Sequence, residues 1–141
     1  MDTGRPTNEP ERGKEKEMSK KVLIVDDEED IRSYLDSLLS DNGYETAMAA
    51  DGEEAFEKLP DFMPDVIILD IVMPNQSGVG FYRKIKKKDT YKDIPVIVLT
   101  GFSGYKDFFS RDYHTLPKPQ MFMEKPIITE ELLDTIKTMV S

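Results

Sequence analysis

Val66-Ile67-Ile68-Leu69-Asp70 is the stretch whose reading decides the fold. Four apolar residues without polar alternation suit a strand covered on both faces. An acid closes the run, and Met73-Pro74 and Gly78 follow it. Three further apolar runs end in the same manner. Val22-Leu23-Ile24-Val25 leads into Asp26-Asp27-Glu28, Val96-Ile97-Val98-Leu99 into Thr100-Gly101, and Met121-Phe122-Met123 into Glu124-Lys125-Pro126. If these strands are parallel, carboxylates, a hydroxyl and an ammonium meet at one edge of one sheet.

Helical periods separate the runs. Ile31, Leu35, Leu38 and Leu39 are spaced as one face of a helix, which Asn42-Gly43 stops. Tyr44 to Ala49 is expected as a strand poor in β-branched residues. Asp51 offers an N-cap for a short helix to Leu59, with Glu53 and Glu54 in its first turn. Pro60 and Pro64 are expected to break the chain before the Val66 strand. Gly78 to Lys88 carries Phe81, Tyr82 and Ile85 on one helical face, and Pro95 opens the Val96 strand. Ser103 to Thr115 reads as a further helix. Thr129 is expected to cap a last helix, Glu130 to Val140, with Leu132, Leu133, Ile136, Met139 and Val140 as its buried stripe. Strands alternating with helices imply an α/β fold, a parallel sheet with right-handed crossovers. Alternation leaves the strand order open.

Composition narrows the classes of function. Residues 1–19 lack Val, Ile, Leu, Phe and Tyr and hold 5 acidic and 4 basic residues, so they are expected as a disordered polar tail. Residues 20–141 are expected as a single domain. The chain has 141 residues, no cysteine and a formal charge of −9. Disulfides and thiolate metal sites are thereby excluded, and a cytoplasmic setting is expected. No apolar run approaches the roughly 20 residues of a membrane span. The acidic balance argues against direct nucleic-acid binding, because phosphate contacts need Lys and Arg. Arg83, Lys84, Lys86, Lys87 and Lys88 are read as a solvated helix end.

Taken together, Asp26-Asp27, Asp70 with Met73-Pro74 and Gly78, Thr100-Gly101 and Lys125-Pro126 resemble the pattern of a response-regulator receiver domain. The intervals fit too, with 43 residues from Asp27 to Asp70 and 30 from Asp70 to Thr100. The resemblance covers 20–141. It implies a flavodoxin-like, doubly wound (βα)5 fold whose five-stranded parallel sheet has the order 2-1-3-4-5. In such a sheet ligands bind outside the C-terminal strand ends, where the winding reverses. Asp26, Asp27 and Asp70 would then crowd one crevice. Two unit charges about 4 Å apart repel by roughly 4 kcal/mol at an effective dielectric of 20. Lys125 offsets part of that repulsion, and a hard cation such as Mg²⁺ would offset the rest.

A carboxylate beside Mg²⁺ and a lysine can act as a nucleophile toward a phosphoryl group. Asp70 is expected as that phosphoacceptor, with Thr100 and Lys125 contacting phosphoryl oxygens. The resemblance implies that Asp26, Asp27, Asp70 and the backbone carbonyl of Val72 bind Mg²⁺. It further implies that a sensor histidine kinase or a histidine phosphotransfer protein is the donor. Thr100 and Phe122 would be the switch residues, and the Lys125-Pro126 bond would be cis. A downstream effector protein or domain would read the switch, with a possible homodimer through the face between the fourth and fifth helices. The chain would then be a signalling phosphoacceptor rather than an enzyme.

Some features depart from the pattern. From Thr100 to Lys125 is 25 residues, and Leu116-Pro117-Lys118-Pro119-Gln120 replaces the usual small-residue approach to the fifth strand. The helix before it is rich in aromatics (Tyr105, Phe108, Phe109 and Tyr113), a candidate docking face. Apolar Val72 and Phe102 flank the site, so restricted water access and a long-lived phosphoryl group are expected. The alternative is a phosphorylation-independent interaction module on the same fold. A phosphohydrolase of the haloacid-dehalogenase kind would need an acid where Val72 stands. His114, the single histidine, is expected to bind no metal and carry no phosphoryl group. The chain ends one residue after Val140, as a stand-alone receiver or a piece of a larger regulator would.

Overall fold

The computed structural model describes residues 19–101 and 117–141, and only the backbone of Gln76 and Thr100. The tail over 1–18 and the expected helix over 103–115, with its aromatics, His114 and Phe102, lie outside the described residues. Within them the order is β1 (Lys21–Val25), α1 (Glu29–Asp41), β2 (Glu45–Ala49), α2 (Gly52–Phe62), β3 (Val66–Asp70), a 3-10 turn (Pro74–Gln76), α3 (Ser77–Lys86), β4 (Val96–Thr100), β5 (Met121–Glu124) and a C-terminal helix (Thr129–Val140). The strands form one sheet in the order β2-β1-β3-β4-β5, and every pairing is parallel. This is the doubly wound α/β fold with the order implied by the resemblance.

Strand residues alternate between two cores. Leu23, Val25, Ile67, Leu69, Val96 and Val98 face α2 and α3, where they meet Ala55, Leu59, Val79, Phe81, Tyr82 and Ile85. Val22, Ile24, Val66, Ile68, Ile97 and Leu99 face α1 and the C-terminal helix, where they meet Leu35, Leu39, Leu132 and Ile136. The expected stripes are therefore the buried ones, with Ile31, Leu38, Leu133, Met139 and Val140 packed at their margins. No helix among the described residues is long and apolar enough to cross a membrane.

Four local expectations need correction. Pro60 does not break the chain: it lies inside α2, which runs past Leu59 to Phe62. Near a helix end proline removes only one ladder bond, and the Met63 amide closes the last turn on the Leu59 carbonyl at 2.8 Å. The third helix starts at Ser77 and ends at Lys86, so Lys87 and Lys88 belong to the turn beyond it. Thr129 is not the cap of the last helix. The cap position is Ile128, with no side-chain cap bond, and the Thr129 hydroxyl pairs with that of Tyr34 at 2.5 Å. Lys86 is not solvated. Its ammonium is buried and donates to the Lys92 and Ile94 carbonyls at 3.1 and 3.3 Å.

Candidate functional site

The register brings the C-terminal strand ends together. Val25 pairs with Leu69 and Asp70 with Leu99, so Asp26 follows the strand beside Asp70, and Thr100 lies one residue beyond Asp70's partner. Thr100 in turn pairs with Glu124, which precedes Lys125. Among the described residues, carboxylate oxygens of Asp26, Asp27 and Asp70 lie within 4.8 Å of one another. Lys125 Nζ sits 3.1 Å from Asp26 Oδ2, 3.3 Å from Asp70 Oδ2 and 2.9 Å from Glu28 Oε1. Asp26, Asp27, Asp70 and Lys125 thus meet as the sequence suggests. The side chain of Thr100 lies outside the described residues.

Backbone amides orient the two buried acids. The Glu28 amide donates to Asp26 Oδ1 at 2.9 Å, and the Val72 amide to Asp70 Oδ1 at 3.0 Å. Each carboxylate therefore has one oxygen held and one turned toward Lys125. Asp26 Oδ2 is buried without a hydrogen-bond partner, because Lys125 reaches it as an ion pair outside hydrogen-bonding geometry. Arg32 Nη1 donates to the Asp26 carbonyl at 2.7 Å and ties the loop to α1. Neither Asp26 nor Asp27 caps α1, whose N-cap position is Glu28.

Gly78 explains the small residue after Met73-Pro74. A Cβ there would lie 2.6 Å from the Asp70 carbonyl oxygen and 2.9 Å from that of Ile71. Only glycine lets α3 start this close to the end of β3. Gly52 does the same for α2, since its Cβ would lie 2.1 Å from the Ser77 carbonyl oxygen. Val72 is exposed at the rim. Phe122, paired with Val98, is half-buried and packs against the core on the α2–α3 side. The Lys125-Pro126 bond is cis.

The electrostatics follow from burial. Asp70 is pushed up to about 6, first by burial and then by the Asp26 charge, against the pull of Lys125. Burial likewise raises Asp26 above its ordinary value. For Lys125 burial works the other way, but the hydrogen bond to Glu28 and the charges of Asp70 and Asp26 outweigh it and hold the ammonium above its usual range. Three hard oxygen donors and an orphaned buried carboxylate oxygen fit an oxygen-seeking divalent cation such as Mg²⁺.

Glu28 escaped the sequence reading. It follows the acidic pair and was given no role there, yet it makes the shortest contact to Lys125. The available signal was its position, since glutamate is a poor N-cap.

The model of the response regulator receiver domain matches residues 22–137. The probable transcriptional regulator ycf27 of Guillardia theta is 46% identical over 91 residues, which are 64% of this chain and 35% of that protein. The solved structure of the chemotaxis protein CheY4 of Vibrio cholerae is 34% identical, covers 86% of this chain and 98% of its own, and superposes with a TM-score of 0.75. The response regulator TrrA of Thermotoga maritima, solved in complex with Mg²⁺ and BeF, is 36% identical over 85% of this chain and 98% of its own, with a TM-score of 0.72. The chain spans between 35% and 52% of the length of the first curated relatives it matches.

Proposed function

The chain belongs to the response regulator receiver family, and from that premise we propose that it accepts a phosphoryl group on Asp70 and uses it to switch a protein-interaction face. The observation that carries this reading is the buried Asp70 carboxylate, with one oxygen fixed by the Val72 amide and the other facing Lys125. In the reaction, an Asp70 oxygen forms a new bond to phosphorus while the bond from phosphorus to the donor breaks and its electron pair leaves with the donor. Asp70 must be ionised to attack, and Lys125 favours that form. The ammonium then stays beside the developing charge on the phosphoryl oxygens. Thr100, on the neighbouring strand, would contact the same oxygens.

Asp26, Asp27 and Asp70 would hold Mg²⁺, together with the Val72 carbonyl. Bound there, the ion supplies positive charge that offsets the crowded carboxylates and the incoming phosphoryl group. The match to TrrA, whose structure contains Mg²⁺ and BeF, supports this assignment. A histidine kinase or histidine phosphotransfer protein is the proposed donor, and an effector protein or domain the reader. An aspartyl phosphate carries about −1.5 to −2 charge in place of the carboxylate's single negative charge, and Thr100 and Phe122 would carry its effect to the interaction face.

The test is intact mass after incubation with acetyl phosphate and Mg²⁺. One phosphoryl adduct is expected, absent with EDTA and in Asp70→Asn. With Mg²⁺ binding confirmed, failure with both acetyl phosphate and a phosphohistidine donor would favour a phosphorylation-independent module.

A further inference from the structure

Lys125 offers one ammonium to three carboxylates, and its shortest contact is to the one that phosphoryl transfer does not require. Glu28 Oε1 lies 2.9 Å from Nζ, against 3.1 Å for Asp26 Oδ2 and 3.3 Å for Asp70 Oδ2. Of these three, Glu28 and Asp70 accept hydrogen bonds from it. An ammonium has three donors, so Glu28 takes one that a phosphoryl oxygen could use.

The local structure shows why this side chain is free to do so. Glu28 occupies the N-cap of α1 but makes no side-chain cap bond. Its backbone secures the helix start instead, through Arg32 N to Glu28 O at 3.1 Å and Glu28 N to Asp26 Oδ1 at 2.9 Å. Exposure separates the three partners. The Glu28 side chain is 58% exposed, whereas those of Asp26 and Asp70 are 2% and 5% exposed. Glu28 alone can let go of Lys125 and be solvated at once. Releasing either of the others would strand a buried charge.

We infer that Glu28 is a positioning residue that holds Lys125 back in the resting site, and that this ion pair opens when a phosphoryl group arrives. The inference rests on Asp70 being the phosphoacceptor. Glu28 thereby sets how readily the site loads. It does so through Lys125 and not by touching the reacting atoms.

The test uses Glu28→Gln, which keeps the shape and removes the charge, in wild-type and Lys125→Met backgrounds. Two quantities are read: the affinity for beryllofluoride, a phosphoryl analogue, at saturating Mg²⁺, and the rate of uptake from acetyl phosphate. In the wild-type background, tighter binding and faster uptake by about two- to fivefold are expected, the scale of an exposed ion pair. In Lys125→Met the gain should vanish. An equal gain there would trace the effect to charge acting through space and overturn the inference. So would unchanged or weaker loading in the wild-type background. Asp30→Asn removes an exposed like charge that is not among the three at Lys125, and it covers the case in which Lys125→Met does not load at all. It is expected to leave both quantities unchanged, and a gain matching that of Glu28→Gln would overturn the inference. An adduct that persists in Asp70→Asn would instead overturn the functional reading.

Discussion

Buried polar groups occur at both ends of this sheet, and the two ends treat them differently. Beyond the N-terminal ends of the strands, Lys86 lies buried with its ammonium donated to two carbonyls, those of Lys92 and Ile94. The fully buried Tyr82 hydroxyl donates to the Pro117 carbonyl, and Gln120 Oε1 accepts from the Val96 amide at 2.7 Å. Beyond the C-terminal ends, Asp26 and Asp70 are buried side by side, one oxygen has no hydrogen-bond partner, and one lysine is divided among three acids. One end uses its polar groups to close the structure. The other keeps charge that the protein alone does not neutralise, as a site awaiting a cation and a phosphoryl group would.

Removing a buried charge should therefore have opposite signs at the two ends. Asp70 is pushed from 3.8 up to about 6 in the folded chain. A raised carboxyl favours folding below its unfolded value, and that contribution is lost as the pH rises through the folded value. In EDTA, stability should fall between pH 4 and a little above 6 by ~3 kcal/mol, the equivalent of such a shift. Asp70→Asn should flatten that dependence and stabilise the metal-free protein near neutrality, as urea titrations across pH would show. A flat profile for the unmodified chain would break the contrast.

Lys86→Met should destabilise near neutral pH by about 2 kcal/mol, because two carbonyls lose their donor in a buried setting. Tyr82→Phe should cost about 1 kcal/mol, the net value of one hydrogen bond, again by urea denaturation. At the site end, Glu28→Gln should change stability by no more than about 0.5 kcal/mol, since exposed ion pairs contribute little. A large loss there would make Glu28 a structural residue and not a holdback for Lys125.

The sheet was legible because Val22–Val25, Val66–Leu69 and Val96–Leu99 are continuous apolar runs and the helices between them carry clean stripes. The site was legible for the same reason: each of its residues ends a strand or lies within two residues of a strand's end, so parallel order brings them to one edge. What escaped depends on contacts distant in sequence. Lys86 looks like one of a row of solvated cations until the turn over 88–94 folds its carbonyls onto the ammonium. Thr129 looks like a cap until Tyr34, on another helix, engages its hydroxyl. Pro60 looks like a breaker because the pattern does not reveal how near the helix end it falls. Glu28 carries no role in the sequence pattern, and the arrival of Lys125 from the last strand gives it one.

The most direct test of the central claim is chemical localisation of the phosphoryl group. The protein is loaded with acetyl phosphate and Mg²⁺, reduced with borohydride, and mapped by peptide mass. An aspartyl phosphate is reduced to homoserine, and the account predicts that product at position 70 and nowhere else. Homoserine at Asp26 or Asp27, or a loaded protein that yields none, would contradict it.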